Sequence, residues 1–271
     1  MIMGRGNPKN SALSWPRVLK ILLIVTGLLL ITLGYAYIVE PAWIEVTHLQ
    51  VTAPMGPRIK IAHLSDLHTR RLGRVERHLL DLLAREQPDL IVITGDSIAD
   101  NGSGHETEPL HKKLYAPLGV YFVNGNWEHW RPAGSSMSAA PVKILNNASA
   151  KIRDHLYLVG IDDAVTGHPD LDRALRDVPS ESFRIGLFHS PEYFNEVHTE
   201  VQLALAGHTH GGQIRLPWIG PLWLPPGSGG FVRGWYRRGN SQLYVSRGIG
   251  TSVLPLRFLC RPELVIIELS K

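Results

Sequence analysis

The chain has 271 residues, of which 44% are hydrophobic and 19% charged, with a formal net charge of +4. That balance excludes a disordered chain, and a single cysteine, Cys260, excludes an internal disulfide. Thirteen histidines point to metal before any motif is read, and the basic excess points to anionic partners.

Ile21 to Val39 contains no charged side chain. At 1.5 Å per residue this run covers about 28 Å, close to the hydrocarbon thickness of a bilayer. Tyr35, Tyr37 and Trp43 lie at one end and Trp15 at the other, as interfacial aromatics do. Tyr-Ala-Tyr-Ile-Val-Glu-Pro is a poor cleavage site, so the expectation is an uncleaved anchor rather than a signal peptide. Arg5, Lys9, Arg17 and Lys20 precede the span, whereas Glu40 and Glu45 follow it. The positive-inside rule therefore places the N-terminus in the cytoplasm and the remaining domain on the far side. The expected organisation is a cytoplasmic N-terminus and anchor over 1–43, then one domain over 44–271.

Beyond the anchor, Ile44–Thr52 alternates like an edge strand, closed by Pro54 and Pro57. Arg58–Leu64 reads as a strand leading into Ser65-Asp66-Leu67-His68. Val75–Arg85 reads as a helix with Val75, Leu79, Leu82 and Leu83 on one face, ended by Pro88. Leu90–Thr94 is a continuous apolar run, as expected of a strand buried on both faces. Val120–Val123, Leu156–Ile161, Arg184–Phe188, Val201–Leu205, Leu243–Val245 and Leu264–Leu269 repeat the strand signal. With weak helices between several of them, the fold class is α/β.

Five polar clusters each follow an apolar strand: Asp66-Leu67-His68, Gly95-Asp96, Gly125-Asn126-Trp127-Glu128, His189, and Gly207-His208-Thr209-His210. They combine carboxylate and amide oxygens with imidazole nitrogens, which suits Mn²⁺, Fe²⁺ or Zn²⁺ better than Mg²⁺ or Ca²⁺. The i, i+2 spacing of Asp66 with His68 and of His208 with His210 predicts two side chains on one side of an extended strand end. The glycines before Asp96, Asn126 and His208 predict tight turns. One such cluster arises readily by chance; the ordered set does not.

This ordered set resembles the calcineurin-like metallophosphoesterase superfamily, and the resemblance covers nearly the whole chain after the anchor. Gly207-His208-Thr209-His210-Gly211-Gly212-Gln213-Ile214-Arg215-Leu216-Pro217, Arg247-Gly248-Ile249-Gly250, Cys260-Arg261-Pro262-Glu263 and Glu40-Pro41-Ala42-Trp43 look like its small bacterial membrane-linked phosphodiesterases. The resemblance implies a two-sheet sandwich with flanking helices after one transmembrane helix, and a metal-dependent phosphoric ester hydrolase. It implies two divalent metal ions, with Mn²⁺ favoured and Fe²⁺ or Zn²⁺ as alternatives. Asp66, His68 and His210 would hold one metal and Asn126, His189 and His208 the other, with Asp96 as the bridge. The expected location is the inner (cytoplasmic) membrane, crossed once, with a periplasmic or extracytoplasmic catalytic domain.

The third cluster departs from the superfamily's usual Gly-Asn-His-Asp/Glu, because Trp127 stands where a histidine would protonate the leaving oxygen. Indole donates a hydrogen bond but cannot deliver a proton. His129 is the candidate replacement, so Asn126 and His129 are the candidate catalytic residues, and Trp127 and Arg247 the candidate substrate contacts. Without an acid, a pyrophosphate is a favoured target because its leaving group departs as a stable anion. The UDP-2,3-diacylglucosamine pyrophosphatases of the same superfamily likewise lack that histidine. The expected partners are a phosphorylated, lipid-linked substrate and the membrane, with no nucleic acid. The rival reading is an anchored scaffold without turnover. Pro217–Pro226 reads as an acyl-binding or membrane-dipping loop as readily as a packed one. His63, on the strand before Asp66, is a candidate support for the ligands.

Overall fold

A computed structural model describes residues 15–54, 56–99, 102, 104–131 and 141–271. Arg5 and Lys9, half of the basic flank, lie outside these residues.

The first element, α1 (Trp15–Gly34), continues through a π turn at Tyr35–Val39 and a 3₁₀ turn at Glu40–Ala42. No residue of α1 is buried, which is how a helix looks when its apolar surface faces lipid rather than protein. The strands and helices that follow are β1 (Glu45–Thr52), β2 (Ile59–Leu64), α2 (Arg74–Glu86), β3 (Leu90–Thr94), α3 (Glu108–His111), β4 (Val120–Val123) and α4 (Asn126–Trp130). Then come β5 (Val142–Ile144), β6 (Ala148–Arg153), β7 (Leu156–Gly160), α5 (Leu171–Leu175), β8 (Phe183–Leu187), α6 (Phe194–Val197) and β9 (Leu203–Ala206). The chain closes with the hairpin β10 (Arg215–Leu216) and β11 (Gly220–Pro221), then β12 (Gly234–Arg238), β13 (Ser241–Val245) and β14 (Glu263–Ser270).

Two six-stranded sheets form, ordered β1-β14-β2-β3-β4-β5 and β12-β13-β9-β8-β7-β6. They face each other across one core, where Ile61, Val92 and Val265 of the first sheet meet Leu158, Ile185 and Leu205 of the second. Leu79 and Leu83 of α2 cover the outer face of the first sheet against Leu64, Ile91 and Ile93. Full burial of such a leucine is worth about 1.5–3 kcal/mol. Phe194 and Val197 of α6 cover the second sheet in the same way.

Within each sheet the central strands run parallel: β2, β3 and β4 in one, and β7, β8 and β9 in the other. Parallel strands deliver their C-terminal ends to one edge, the usual place for a site in such sheets. All five polar clusters leave β2, β3, β4, β8 and β9 at that edge. The sequence left out β5, β6, β10, β11 and β12. Strands β6 and β12 are the two edges of the second sheet and are half exposed, so they lack the apolar run that marks a central strand.

Candidate metal centre

The ligand-bearing backbones do not continue as extended strands. Asp66, His68, Asp96, His208 and His210 all take φ between +41° and +71°. Left-handed backbone in non-glycine residues costs about 1–3 kcal/mol each and persists only where the surroundings impose it. The same-side arrangement expected from an extended i, i+2 spacing is therefore reached differently: the chain turns at the ligands themselves. Gly95, with φ +82°, does supply a turn of its own. Gly207 is needed instead for close approach, since a Cβ there would collide with Ser65 and Asp66.

The loops after β2 and β3 stay laced together beyond the strands. Asp66 N–H donates to Gly95 O (3.1 Å), His68 N–H to Asp96 O (3.0 Å) and Thr69 N–H to Ser97 O (2.8 Å). The loop after β9 is held to them because His208 N–H donates to both oxygens of Asp66, at 3.0 and 3.1 Å.

Two groups of buried ligand atoms result, Asp66 with His68 and His210, and Asp96 with His189 and His208. In the first, His68 Nε2 lies 3.1 Å from His210 Nε2, and Asp66 Oδ1 lies 3.4 Å from the same His210 atom. In the second, His189 Nε2 lies 3.1 Å from Asp96 Oδ2, 3.0 Å from His208 Nδ1 and 3.2 Å from Asn126 Oδ1. Asp96 Oδ2 is also 3.9 Å from His68 Nε2, which puts this oxygen between the groups.

The opposite ring nitrogens are already committed. His68 Nδ1–H donates to Ile98 O (3.1 Å), His189 Nδ1–H to Thr94 O (2.7 Å) and His208 Nε2–H to Pro226 O (2.6 Å). Each bond fixes the tautomer and leaves a lone pair facing inward, as in metal-ligating histidines. Imidazole nitrogens and carboxylate oxygens that converge at about 3 Å fit divalent cations, which would take the place of the protons they share in the bare cluster.

Electrostatics in the bare cluster follow from burial. It pushes Asp66 up to about 6, against the pull of His189. Burial opposes ionisation of Asp96 too, but His189 prevails and holds it below the usual range. For His189, burial is overcome by Asp96, Asp66 and Asp163, which raise it well above an ordinary histidine. Burial and then the His189 charge push His208 down to about 4.

Glu128 organises this cluster without joining it. Oε2 accepts from Asp96 N and Gly125 N, both at 2.8 Å, while Oε1 accepts from Ser97 N (2.9 Å) and Ile98 N (3.2 Å). Burial and the neighbouring Asp96 push its carboxyl up to about 7, while the Gly125 and Asp96 N–H groups pull it back. No role was expected of Glu128 from the sequence, although a glutamate three residues past Gly125 has capping-box spacing. His63 is placed as a support: its Nε2 meets Thr94 Oγ1 at 2.8 Å, and Thr94 O holds His189.

Residues 59–212 match the calcineurin-like phosphoesterase family. The chain belongs to that family. It is 33% identical over 256 residues to the uncharacterized metallophosphoesterase YkuE of Bacillus subtilis (strain 168), covering 88% of this chain and 89% of that protein. It is 30% identical over 262 residues to phosphodiesterase YaeI of Escherichia coli (strain K12), covering 87% and 92%. A transmembrane protein with metallophosphoesterase domain from Bos taurus is 31% identical over 248 residues, covering 80% of this chain and 54% of that one. Family membership brings a dinuclear metal site, for which the two Asp/His groups are available here.

Around this metallophosphoesterase centre lies a cavity of about 590 Å³. Asp96, Asn126, His208 and His210 form its polar floor, and Trp127, Trp130, Ile214, Trp223, Val253 and Leu254 are among its apolar walls. Trp127 N–H donates to Asp96 Oδ1 (2.9 Å), and the indole stands edge-on to His68 at 6.2 Å between ring centres. Trp130 packs on Trp127 at 5.2 Å. Neither Trp130 nor the 252–254 turn carried a functional signal in the sequence, because each gains meaning only from what it stands beside.

Two expected residues sit elsewhere. His129 is not on the cavity wall; its Nε2 is bound to Asp162 Oδ1 at 2.7 Å. Residues 126 and 129 share a helix face by spacing, so it is the bond to Asp162, and not helix geometry, that turns the imidazole away from Asn126. Arg247 is likewise occupied, with Nη1 3.2 Å from Glu45 and Nη2 3.1 Å from Glu263. It ties the edge strand β1 to β14 and does not line the cavity. Arg257 is fully buried and donates to the carbonyls of Arg247, Gly248, Gly250 and Cys260.

Proposed function

We propose that this protein is a membrane-anchored, two-metal phosphoesterase that cleaves a phosphodiester or pyrophosphate bond in a lipid-linked substrate. The observation that carries the reading is the cavity: its floor is made of metal-ligand side chains and its walls are almost wholly apolar. A phosphate ester with an acyl or isoprenoid body satisfies both halves at once.

Asp66, His68 and His210 are proposed to hold one metal and Asn126, His189 and His208 the other, with Asp96 shared. The mixed nitrogen and oxygen set favours Mn²⁺, with Fe²⁺ or Zn²⁺ as alternatives. When bound, such ions polarise phosphoryl oxygens and make water a nucleophile at neutral pH. The chain's own residues orient that chemistry: the carbonyls of Ile98, Thr94 and Pro226 hold the imidazoles, and Glu128 holds the Asp96 loop. Trp127 walls the reacting centre from the apolar side and has no proton to give. With His129 turned to Asp162, no protonatable side chain other than the proposed ligands lines the cavity among the described residues. The reading therefore favours leaving groups that depart as stable anions.

An uncleaved anchor is supported by how the end of the α1 segment is held. Arg257 N–H donates to Ala36 O (3.0 Å), and the buried Glu40 carboxylate accepts from Leu259 N (3.0 Å) and Cys260 N. Cleavage beyond Glu40 would strip these bonds from the domain. The name phosphodiesterase carried by YaeI supports diester chemistry. Activity on bis-p-nitrophenyl phosphate with added Mn²⁺ tests the reading. Asp96→Asn should lose more than the roughly 10–100-fold typical of an outer-shell partner, while keeping its fold. A variant with two metals per chain and wild-type turnover sinks the shared-ligand role, and no turnover by the parent favours the scaffold.

A UDP-2,3-diacylglucosamine pyrophosphatase is the second reading, favoured by Trp127 and the apolar cavity. It needs a domain facing the cytoplasm, opposite to the flanking charges. Alkaline phosphatase fused after Lys271 decides: activity supports an outward domain and excludes this substrate, and silence with a fluorescent cytoplasmic fusion reverses the charge argument.

A further inference from the structure

The exposed apolar surface of the domain is concentrated at the tip of the β10–β11 hairpin and the 252–254 turn. Trp218 at the hairpin tip is 103% exposed, with Ile219 at 71% and Val253 at 70%. Both segments border the cavity, since Leu222 and Trp223 just after the hairpin and Val253 and Leu254 of the turn line it. A water-facing loop has no reason to present adjacent tryptophan and isoleucine side chains, and a patch of this kind marks a contact surface.

A short chain of hydrogen bonds joins this surface to the foot of the membrane helix. Gln213 Nε2 donates to Ser252 O (3.0 Å) and Leu254 O (2.9 Å), tying the turn to the hairpin base. Phe258 N–H donates to Gln213 O (3.0 Å), and Arg215 N–H to Phe258 O (2.9 Å). The next residues, Leu259 and Cys260, are those held by Glu40. Beside them, the Arg261 guanidinium stacks over Trp43 at 4.0 Å, a basic and aromatic pair of the kind found at a membrane interface. The hairpin base is thus bonded to the segment that grips the foot of α1, the helix expected to sit in the bilayer.

We propose that the β10–β11 hairpin and the 252–254 turn are seated in that bilayer, so that the cavity mouth opens onto lipid and acyl chains enter it laterally. The seating stands on geometry alone; the lateral entry rests on the lipid-linked substrate proposed above. A loop inserted through tryptophan and aliphatic side chains gains affinity in proportion to the apolar area it buries. It would also spare a lipid substrate from leaving the membrane fully to reach the metal floor.

The test uses the full chain in vesicles of phosphatidylethanolamine and phosphatidylglycerol, with a nitroxide on Trp218→Cys or on Asp154→Cys. Asp154 is 88% exposed and lies in the β6–β7 turn, at the edge opposite the ligand loops, and the native Cys260 is buried and escapes labelling. The label at 218 should be relaxed by oxygen and shielded from a water-soluble nickel chelate, and the label at 154 the reverse. Equal nickel access at both positions overturns the seating, and so does a dimer in which a second copy shields the hairpin in detergent without vesicles. A second arm uses the double variant Trp218→Ser/Ile219→Ser, at positions outside the cavity. Its rate on bis-p-nitrophenyl phosphate should match the parent, while hydrolysis of a vesicle-embedded diacyl phosphodiester should fall by about tenfold. Equal rates on the embedded ester overturn lateral entry. Absence of turnover on either substrate by the parent removes lateral entry together with the enzymatic reading, and the nitroxide contrast still decides the seating.

Discussion

Replacing Glu128 by glutamine isolates the role of a buried carboxylate that does not line the cavity. Each of its oxygens accepts two backbone N–H groups, from Asp96 and Gly125 at one and from Ser97 and Ile98 at the other. Glutamine keeps one acceptor oxygen and turns an amide NH₂ toward the remaining pair of donors. Two N–H groups then lose their bonds in a site that is only 6% exposed. Hydrogen bonds to a charged acceptor contribute about 1.5–3 kcal/mol each, so above pH 7, where Glu128 is ionised, the loss is about 3–6 kcal/mol. The loop can escape part of this by opening locally, which moves the cost from global stability to metal affinity. Amide hydrogen exchange of the metal-free protein reads both routes. Protection at Asp96, Ser97 and Ile98 should fall by about 10²–10⁴-fold, and metal per chain, measured by mass spectrometry after dialysis, should drop below the parent. Unchanged protection at these amides together with an unchanged urea midpoint would refute the assignment of Glu128 as the organiser of the Asp96 loop.

Trp127→His restores a proton donor at the cavity wall, and should speed poor leaving groups by up to about 10²–10⁴-fold while leaving good ones nearly unchanged. His129→Ala removes the 2.7 Å bond to Asp162 and should change thermal stability with little effect on turnover; a loss confined to poor leaving groups would identify His129 as the acid after all. Burial depresses His63 and His111 to about 4, and each leaves its Nδ1 without a partner among the described residues. The unfolded chain therefore takes up protons first as pH falls. The stability that these histidines contribute is whole above pH 6.5 and declines toward pH 4, by about 3 kcal/mol for each. Urea unfolding of the metal-free protein across that window should be less pH-dependent in His63→Gln/His111→Gln, and parallel curves for variant and parent would show that these groups do not titrate on unfolding.

The membrane segment, the central strands and the polar clusters that follow them were legible because each is a local pattern. A run of nineteen uncharged residues and a five-residue apolar strand announce their surroundings by composition, and ligand chemistry is written in side-chain type. The strand order and parallel direction that bring the clusters to one edge belong to the fold and were not read from the sequence. Tertiary structure alone decided the rest. The left-handed backbones at Asp66, His68, Asp96, His208 and His210 are imposed by contacts between loops, against local preference. Asn126, Glu128 and His129 are near neighbours in one short helix, yet one meets His189, one is locked under the Asp96 loop and one turns to Asp162. Arg247 looked like a phosphate contact until Glu45 and Glu263, 202 and 16 residues away, claimed its guanidinium. The apolar cavity joins segments around residues 127, 214, 223 and 254 that share no sequence signal. A local pattern reports what a residue can do; which of its possible partners it meets depends on distances that only the folded chain sets.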